Sequence, residues 1–294
     1  MDIRTIGTAD IASCQRIVDA SLGDLHRRYG LQEDEVGEPD WIHPILSHFL
    51  ETDPSGALGA TVNGELVAFV SSFRRDDYWF LSFLFVDPSA QGRGVGRALL
   101  DGVFPEGSAV VRATVVESFQ PVSTGLYASV GIVPRSIKYW LSGISRPRSL
   151  PQLSDDIRRA ELTAADRDDV DALDRAVLGF ARNADHAWWS AGTPGWSFRR
   201  GEDLVGYAYV DDGYLGPALA IDERTLCSVV ADVVDTSDDP ASMSVNLSGN
   251  SRDLFRMLMR AGARIDDSAP YRYVYCSSEG PLPSSYIQHA DWLP

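Results

Sequence analysis

Apolar positions near the start of the chain recur at helical spacing. Ile11, Cys14, Val18, Leu22 and Leu25 fall on one face of an amphipathic helix. Asp40 to Leu50 follows as a helical or irregular segment, and then the period shortens. Ala57 to Val62 and Leu66 to Phe73 flank Asn63-Gly64, a pair that suits a two-residue hairpin turn. Asp77 to Val86 (DYWFLSFLFV) is aromatic and branched, the composition of a buried strand. Next come a glycine loop, a helix from about Val95 to Val103, a strand Ala109 to Val116, a helix Pro121 to Val130 and a last strand Ile137 to Leu141.

The pattern then repeats weakly. Asp10, Leu22 and Gly23 recur at the same spacing as Asp166, Leu178 and Gly179, and Val170, Leu173 and Val177 form a second apolar stripe. GELVAFV (Gly64 to Val70) resembles GEDLVGYAYV (Gly201 to Val210), each a turn followed by a strand-like run. LYASVGI (Leu126 to Ile132) and MLMRAGA (Met257 to Ala263) both read as helices ended by glycine. Between the copies, Ile144 to Asp156 lacks periodicity and carries Pro and Ser. The expectation is a module over 1–145, a linker over 146–156 and a second module over 157–294.

Composition narrows the function. The 294 residues carry a formal net charge of −16, and Lys138 is the only lysine. A field of that sign disfavours nucleic acid and anionic membranes and favours neutral or cationic amines. No apolar run reaches the length of a membrane span, and none has the layout of a signal peptide, so a cytoplasmic protein is expected. Cys14, Cys227 and Cys276 have no metal-like or redox-like spacing, and the five histidines form no zinc pattern.

Chemistry concentrates in Leu84 to Leu100, LFVDPSAQGRGVGRALL. A strand that runs through Gly92, Gly94 and Gly96 into a helix gathers backbone N–H groups at one spot, where the helix dipole adds positive potential. Such a spot suits phosphate, and Arg93 and Arg97 supply charge in an otherwise acidic chain. The spacing is neither Gly-x-Gly-x-x-Gly nor Gly-x4-Gly-Lys-Ser/Thr, so the dinucleotide fingerprint and the nucleoside-triphosphate loop both fail.

With its flanks, the segment resembles the acyl-CoA-binding motif of the GNAT acetyltransferases, through Leu84, Val86, Pro88, Gln91, Gly94 and Gly96. Phe119 to Arg135 (FQPVSTGLYASVGIVPR) resembles that superfamily's second segment, with Leu126, Tyr127 and Gly131 in place. QPVSTGLYASVG-x-VPR and VLGFAR-x-x-DH-x-x-W together resemble tandem two-module members found in actinobacteria. The resemblance implies an α/β fold of two tandem modules, each a mixed, mostly antiparallel sheet flanked by helices. It implies acetyl-CoA as acyl donor and N-acetylation of a small-molecule amine by direct attack in a ternary complex. Coenzyme contacts would come from Phe85, Val86, Gln91, Gly92, Arg93, Gly94, Val95, Gly96, Arg97 and Ser123. Tyr127 would donate a proton to the leaving sulfur.

At the place of Phe80 many relatives carry a glutamate base. Asp76, Asp77, Glu117, Glu38 and Asp40 are the acids that could substitute, and spacing does not separate them. The missing glutamate keeps a non-catalytic acyl-CoA-binding regulator or scaffold as the alternative, and oligomeric state stays open. The second copy is degenerate: IDERTLCSVV replaces the glycine loop and Leu258 stands in the place of Tyr127. It is expected to bind no coenzyme and to wall or gate the acceptor pocket. The Pro-rich end, GPLPSSYIQHADWLP, is either docked or loose.

Overall fold

The computed structural model describes residues 1–31, 40–107, 110–145, 149–267 and 272–293. Its backbone contacts divide the chain into two units, Met1–Arg74 with Tyr78–Thr114, and Arg75–Asp77 with Val115–Pro294.

The first unit begins with β1 (Asp2–Thr5) and α1 (Ile11–Arg28). Asp10 fixes the entry to α1, since its carboxylate accepts the Gly7 N–H at 3.0 Å and both Arg4 nitrogens at 2.9 and 2.6 Å. The helix buries Ile11, Cys14, Val18 and Leu25 of the expected stripe, together with Ile17, and leaves Leu22 half-buried. Then come α2 (Ile42–Thr52), β2 (Ala57–Val62), β3 (Glu65–Arg75), β4 (Tyr78–Val86), α3 (Val95–Val103) and the start of β5 (Val111–Glu117). Strand order is β1-β2-β3-β4-β5, antiparallel for β1–β2 and β2–β3 and parallel for β4–β5. Phenylalanines from α2, β3 and β4 fill the core; Phe49 stacks on Phe73 at 5.1 Å, and Phe73 meets Phe80 at 5.5 Å. β1 leaves no mark in the apolar spacing, because all four of its residues are exposed and it has no buried face to write into the pattern.

The second unit continues with α4 (Pro121–Ala128), β6 (Val133–Ser142), β7 (Ile157–Glu161), α5 (Arg167–Leu178), α6 (Asn183–Ser190), β8 (Gly195–Arg200), β9 (Asp203–Asp211) and β10 (Tyr214–Ala220). It ends with α7 (Glu223–Asp235), β11 (Ser244–Ser248), α8 (Arg252–Arg260), β12 (Arg264–Ile265), β13 (Tyr273–Ser277) and β14 (Tyr286–Ile287). Its strands lie in the order β13-β6-β11-β14-β10-β9-β8-β7, and α7 and α8 cover a core of Leu226, Val230, Val234, Leu254 and Leu258.

Element order from β7 to β12 repeats that from β1 to β6, strand, two helices, three strands, helix, strand, helix, strand, so the weak echo in sequence is a repeat of the fold. By backbone contacts the compact units divide after Thr114. In the second unit β6 pairs antiparallel with β13 (Val274↔Ile137) along one edge and with β11 (Asn246↔Trp140) along the other. Residue 109 of the expected strand, and 146–148 of the expected linker, lie outside the described residues.

Candidate functional site

Within the first unit the parallel ladder between β4 and β5 runs from Tyr78↔Val111 to Leu81↔Thr114, and the buried Thr114 hydroxyl donates to the Leu81 carbonyl at 2.9 Å. At the end of β4, Phe85 and Val86 are half-buried, with Phe85 stacked on Phe69 at 6.0 Å.

The loop is tied to that strand end. Gln91 Nε2 donates to the Val86 carbonyl at 2.9 Å, and Asp87 N–H donates to Val67 O at 2.8 Å. Asp87 in turn accepts the Ser89 hydroxyl at 2.6 Å and the Ser89 N–H at 3.0 Å, bonds that hold its carboxyl below the usual range. Gly92 (φ 73°) and Gly94 (φ 79°) adopt the left-handed backbone that glycine permits, and a Cβ on either would meet nothing within 4 Å. Gly94 caps α3, whose first helical bond runs from Ala98 N–H to Gly94 O at 3.0 Å, so the amides of Val95 and Gly96 precede the ladder. Arg93 and Arg97 are exposed. Open space over left-handed glycines, helix-start amides and two arginines fits an anionic group such as a diphosphate.

Ser123 and Tyr127 sit on α4, in the second unit. Gln120 caps the helix, its side chain accepting the Val122 N–H at 3.3 Å. Tyr127 is buried, one helical turn after Ser123. Burial pushes its phenol well above the usual range although the nearby Ser123 hydroxyl works to lower it, so it stays protonated.

Phe80 is wholly buried, and its ring serves the core. Asp76 accepts the Ala181 N–H at 3.0 Å and Arg175 Nε at 3.2 Å, a structural pairing. Asp77 and Asp40 are exposed, and Glu38 lies outside the described residues. Glu117, the last residue of β5, differs from these. It is 9% exposed, and burial, with the Asp291 charge second, pushes its carboxyl up to about 7. Spacing gave no way to separate it from the surface acids, because its burial depends on elements far along the chain.

In the second copy the protein's own residues occupy the corresponding places. β10 and β11 pair in parallel at Tyr214↔Ser244, and β14 then enters between them, antiparallel to β10 (Leu219↔Tyr286) and to β11 (Leu247↔Ile287). The C-terminal segment is therefore docked, through a strand too short to show in the sequence pattern. At the start of α7, the Asp222 carboxylate accepts the Thr225 N–H at 2.7 Å, a bond that lowers its pKa. A side-chain anion thus stands where the first copy leaves bare glycine. Leu258 is wholly buried in the core. Replacing the cap, Asp222→Ala, should lower stability by about 1 kcal/mol in a urea melt without creating coenzyme affinity.

The segment Arg182 to His186 forms a closed interior network. Asp174 accepts from Arg182 Nε at 2.9 Å, Tyr207 Oη at 2.6 Å and His186 Nε2 at 3.0 Å, while His186 Nδ1 meets Tyr209 Oη at 3.0 Å. Asp185 binds Arg75 at 2.8 and 2.7 Å, and Trp189 packs edge-on to His186 at 5.0 Å. Among the described residues no group of three or more His, Cys, Asp or Glu is arranged to hold a metal ion, and no helix is long and apolar enough to cross a membrane.

Residues 21–132 match the family model described as Acetyltransferase (GNAT) family. No curated protein sequence matches the chain. Among solved structures, the chain is similar in fold to an acetyltransferase candidate from Pyrococcus horikoshii, with a TM-score of 0.73 and 14% identity over 100% of this chain and 95% of that one. It is similar also to a GCN5-related N-acetyltransferase from Sphaerobacter thermophilus, with a TM-score of 0.58 and 16% identity over 97% and 98% of the two chains. A tandem GNAT protein from the clavulanic acid biosynthesis pathway gives a TM-score of 0.58 and 14% identity over 95% and 99%. Residues 21–132 thus match the acetyltransferase (GNAT) family model, in a chain that has the GNAT fold, twice repeated, along nearly its whole length.

Proposed function

We propose that the protein is an acetyl-CoA-dependent N-acetyltransferase of a small, neutral or cationic amine, working in the cytoplasm. Its modules are homologous over 1–145 and 157–294, and coenzyme binds to the first alone. The observation that carries this reading is the open, glycine-lined amide cradle between the end of β4 and the start of α3. When bound, the coenzyme supplies an acetyl thioester for direct attack by the amine. The main chain of Phe85 and Val86 holds the pantetheine arm. Backbone amides from Gln91 through Gly92, Arg93, Gly94, Val95 and Gly96 to Arg97 hold the diphosphate, with the two arginine side chains offsetting its charge. Ser123 orients the Tyr127 hydroxyl, which keeps a proton at Oη for the departing sulfur. Glu117 is the base: a carboxyl at about 7 is half ionised at neutral pH and can take the ammonium proton.

Thiol release measured against an amine library tests this. Activity of the wild type should rise through about pH 7, the Glu117 value. Tyr127→Phe and Glu117→Gln should each lower kcat by about 10²–10⁴-fold, and Glu117→Gln should lose the rise. Tight coenzyme binding with no thiol released to any acceptor would favour a non-catalytic acyl-CoA-binding protein instead. Glu117 also affects stability. Its folded pKa lies above the unfolded value of 4.5, so the unfolded chain ionises first and stability falls as pH rises from about 4.5 to about 7. Glu117→Gln should accordingly melt higher than wild type at pH 8.

A further inference from the structure

The two faces of the second unit's sheet differ in kind. On β6, Leu141 lies in the apolar core and Tyr139 meets Phe255 of α8 edge-on at 5.3 Å. Alternation sends Lys138 and Trp140 to the opposite face. β11 behaves alike, with Val245 and Leu247 in the core and Asn246 and Ser248 opposite. The register Asn246↔Trp140 and Ser248↔Lys138 places these four side chains on one face. Leu247↔Ile287 carries β14 into the same alternation, so Gln288 joins Asn246 there.

This face is buried yet incompletely bonded. Lys138, Asn246, Ser248 and Gln288 are each at most 2% exposed. Lys138 Nζ binds an Asp291 oxygen, and Asn246 Nδ2 donates to the same oxygen at 3.3 Å. A carboxylate only accepts, so the Asn246 amide is fixed and its Oδ1 points elsewhere. That oxygen has no partner, and neither does Oε1 or Nε2 of Gln288. Exchanging the two ends of the Gln288 amide changes nothing, since both are unmatched. An unmet buried polar atom destabilises the fold, so three on one strip mark a place the fold alone does not complete. Glu117 adjoins it closely enough to feel the Asp291 charge, and Trp140 with Tyr214, 5.2 Å apart, supplies an aromatic wall.

We propose that this strip binds the acyl acceptor, a small neutral or singly cationic molecule with hydrogen-bond donors beside an acceptor, as in an amino alcohol. Asn246 Oδ1 and Gln288 Oε1 require donors from the ligand, and Gln288 Nε2 requires an acceptor. A carboxylate or phosphate brings acceptors only and meets Asp291, and an apolar ligand leaves all three atoms unmatched. The identity of the ligand as acyl acceptor rests on the transferase reading above; the existence of the site does not.

Calorimetric titration of the full-length protein with serinol (2-amino-1,3-propanediol), ethanolamine and glucosamine, beside glycerate as an anionic match, tests the site without coenzyme. At least one amino alcohol should bind and glycerate should not. Gln288→Leu and Asn246→Leu should each weaken the amino alcohol tenfold or more while coenzyme A binds as in wild type. Gln288→Leu should also raise Tm, because it removes an unmatched buried amide. The proposal is overturned if no amino alcohol binds, if glycerate binds as tightly, if both variants keep wild-type affinity, or if Gln288→Leu melts lower. Wild-type protein that binds the amino alcohol but not coenzyme A would remove the transferase reading and leave this site standing.

Discussion

Gly94→Asp should abolish coenzyme A binding and leave the fold intact. The fold survives because a Cβ at Gly94 meets nothing within 4 Å, and aspartate is among the residues that best tolerate a φ of 79°. Binding fails because the new carboxylate stands at the first turn of α3, where a diphosphate would lie. Two like charges about 4 Å apart at an effective dielectric of about 20 repel by about 4 kcal/mol, or about a thousandfold in affinity. The carboxylate can also take the helix-start amides for itself, as Asp222 does at the start of α7. Gly94→Ala serves as the control, since it introduces backbone strain of about 1–2 kcal/mol without charge. Calorimetry with coenzyme A, alongside a thermal melt, separates the effects. Wild-type affinity in the aspartate variant would remove the loop from the site.

The second large effect falls on stability. Arg182→Met should cost about 3–5 kcal/mol, because it strands the Asp174 carboxylate, which is 0% exposed, without its cation. Arg182 also donates to Tyr286 Oη at 2.6 Å and lies over the Trp189 ring at 5.2 Å, so β14 loses a tie to α6 in the same step. Adding Asp174→Leu should recover most of the loss, since a buried ion pair replaced as a whole is often neutral. Urea midpoints of the two variants and wild type decide the matter; a single variant as stable as wild type would remove the network from the stability of the fold. Acid gives a second reading. Burial works to raise the Asp174 carboxyl, but the Arg182 charge and the His186 hydrogen bond overcome it and hold the group well below its usual range. A depressed folded pKa stabilises fully above the unfolded value, near 4, and that stabilisation is lost as pH falls towards the folded one. Wild type should therefore lose stability below about pH 4 more steeply than the double variant.

These two effects differ in how far the sequence foretold them. Gly94 was legible because its requirement is local: a strand, a left-handed glycine and a helix start occupy adjacent positions and write a fixed spacing. The same holds for the stripe of α1, the hairpin at Asn63-Gly64, and the helix expected over Val95 to Val103, which the structure places at those bounds. The Arg182 network was visible only as part of the VLGFAR-x-x-DH-x-x-W resemblance. Its partners Asp174, Tyr207 and Tyr286 come from three other elements, and hydrogen bonding between them leaves no period in the chain.

The sequence by itself determined the repeat, the glycine loop, the loss of that loop in the second copy and the acyl-CoA chemistry they resemble, because each depends on residues close along the chain. Tertiary structure alone decided that β6 is laddered between β13 and β11, that β14 fills the gap between β10 and β11, and that Glu117, Gln288 and Asn246 are buried. Those outcomes depend on which strands come to lie side by side. Strand pairing is set by the burial of whole faces and not by any short run of residues, so a two-residue strand or a single acid carries no mark of its place until the sheet is assembled.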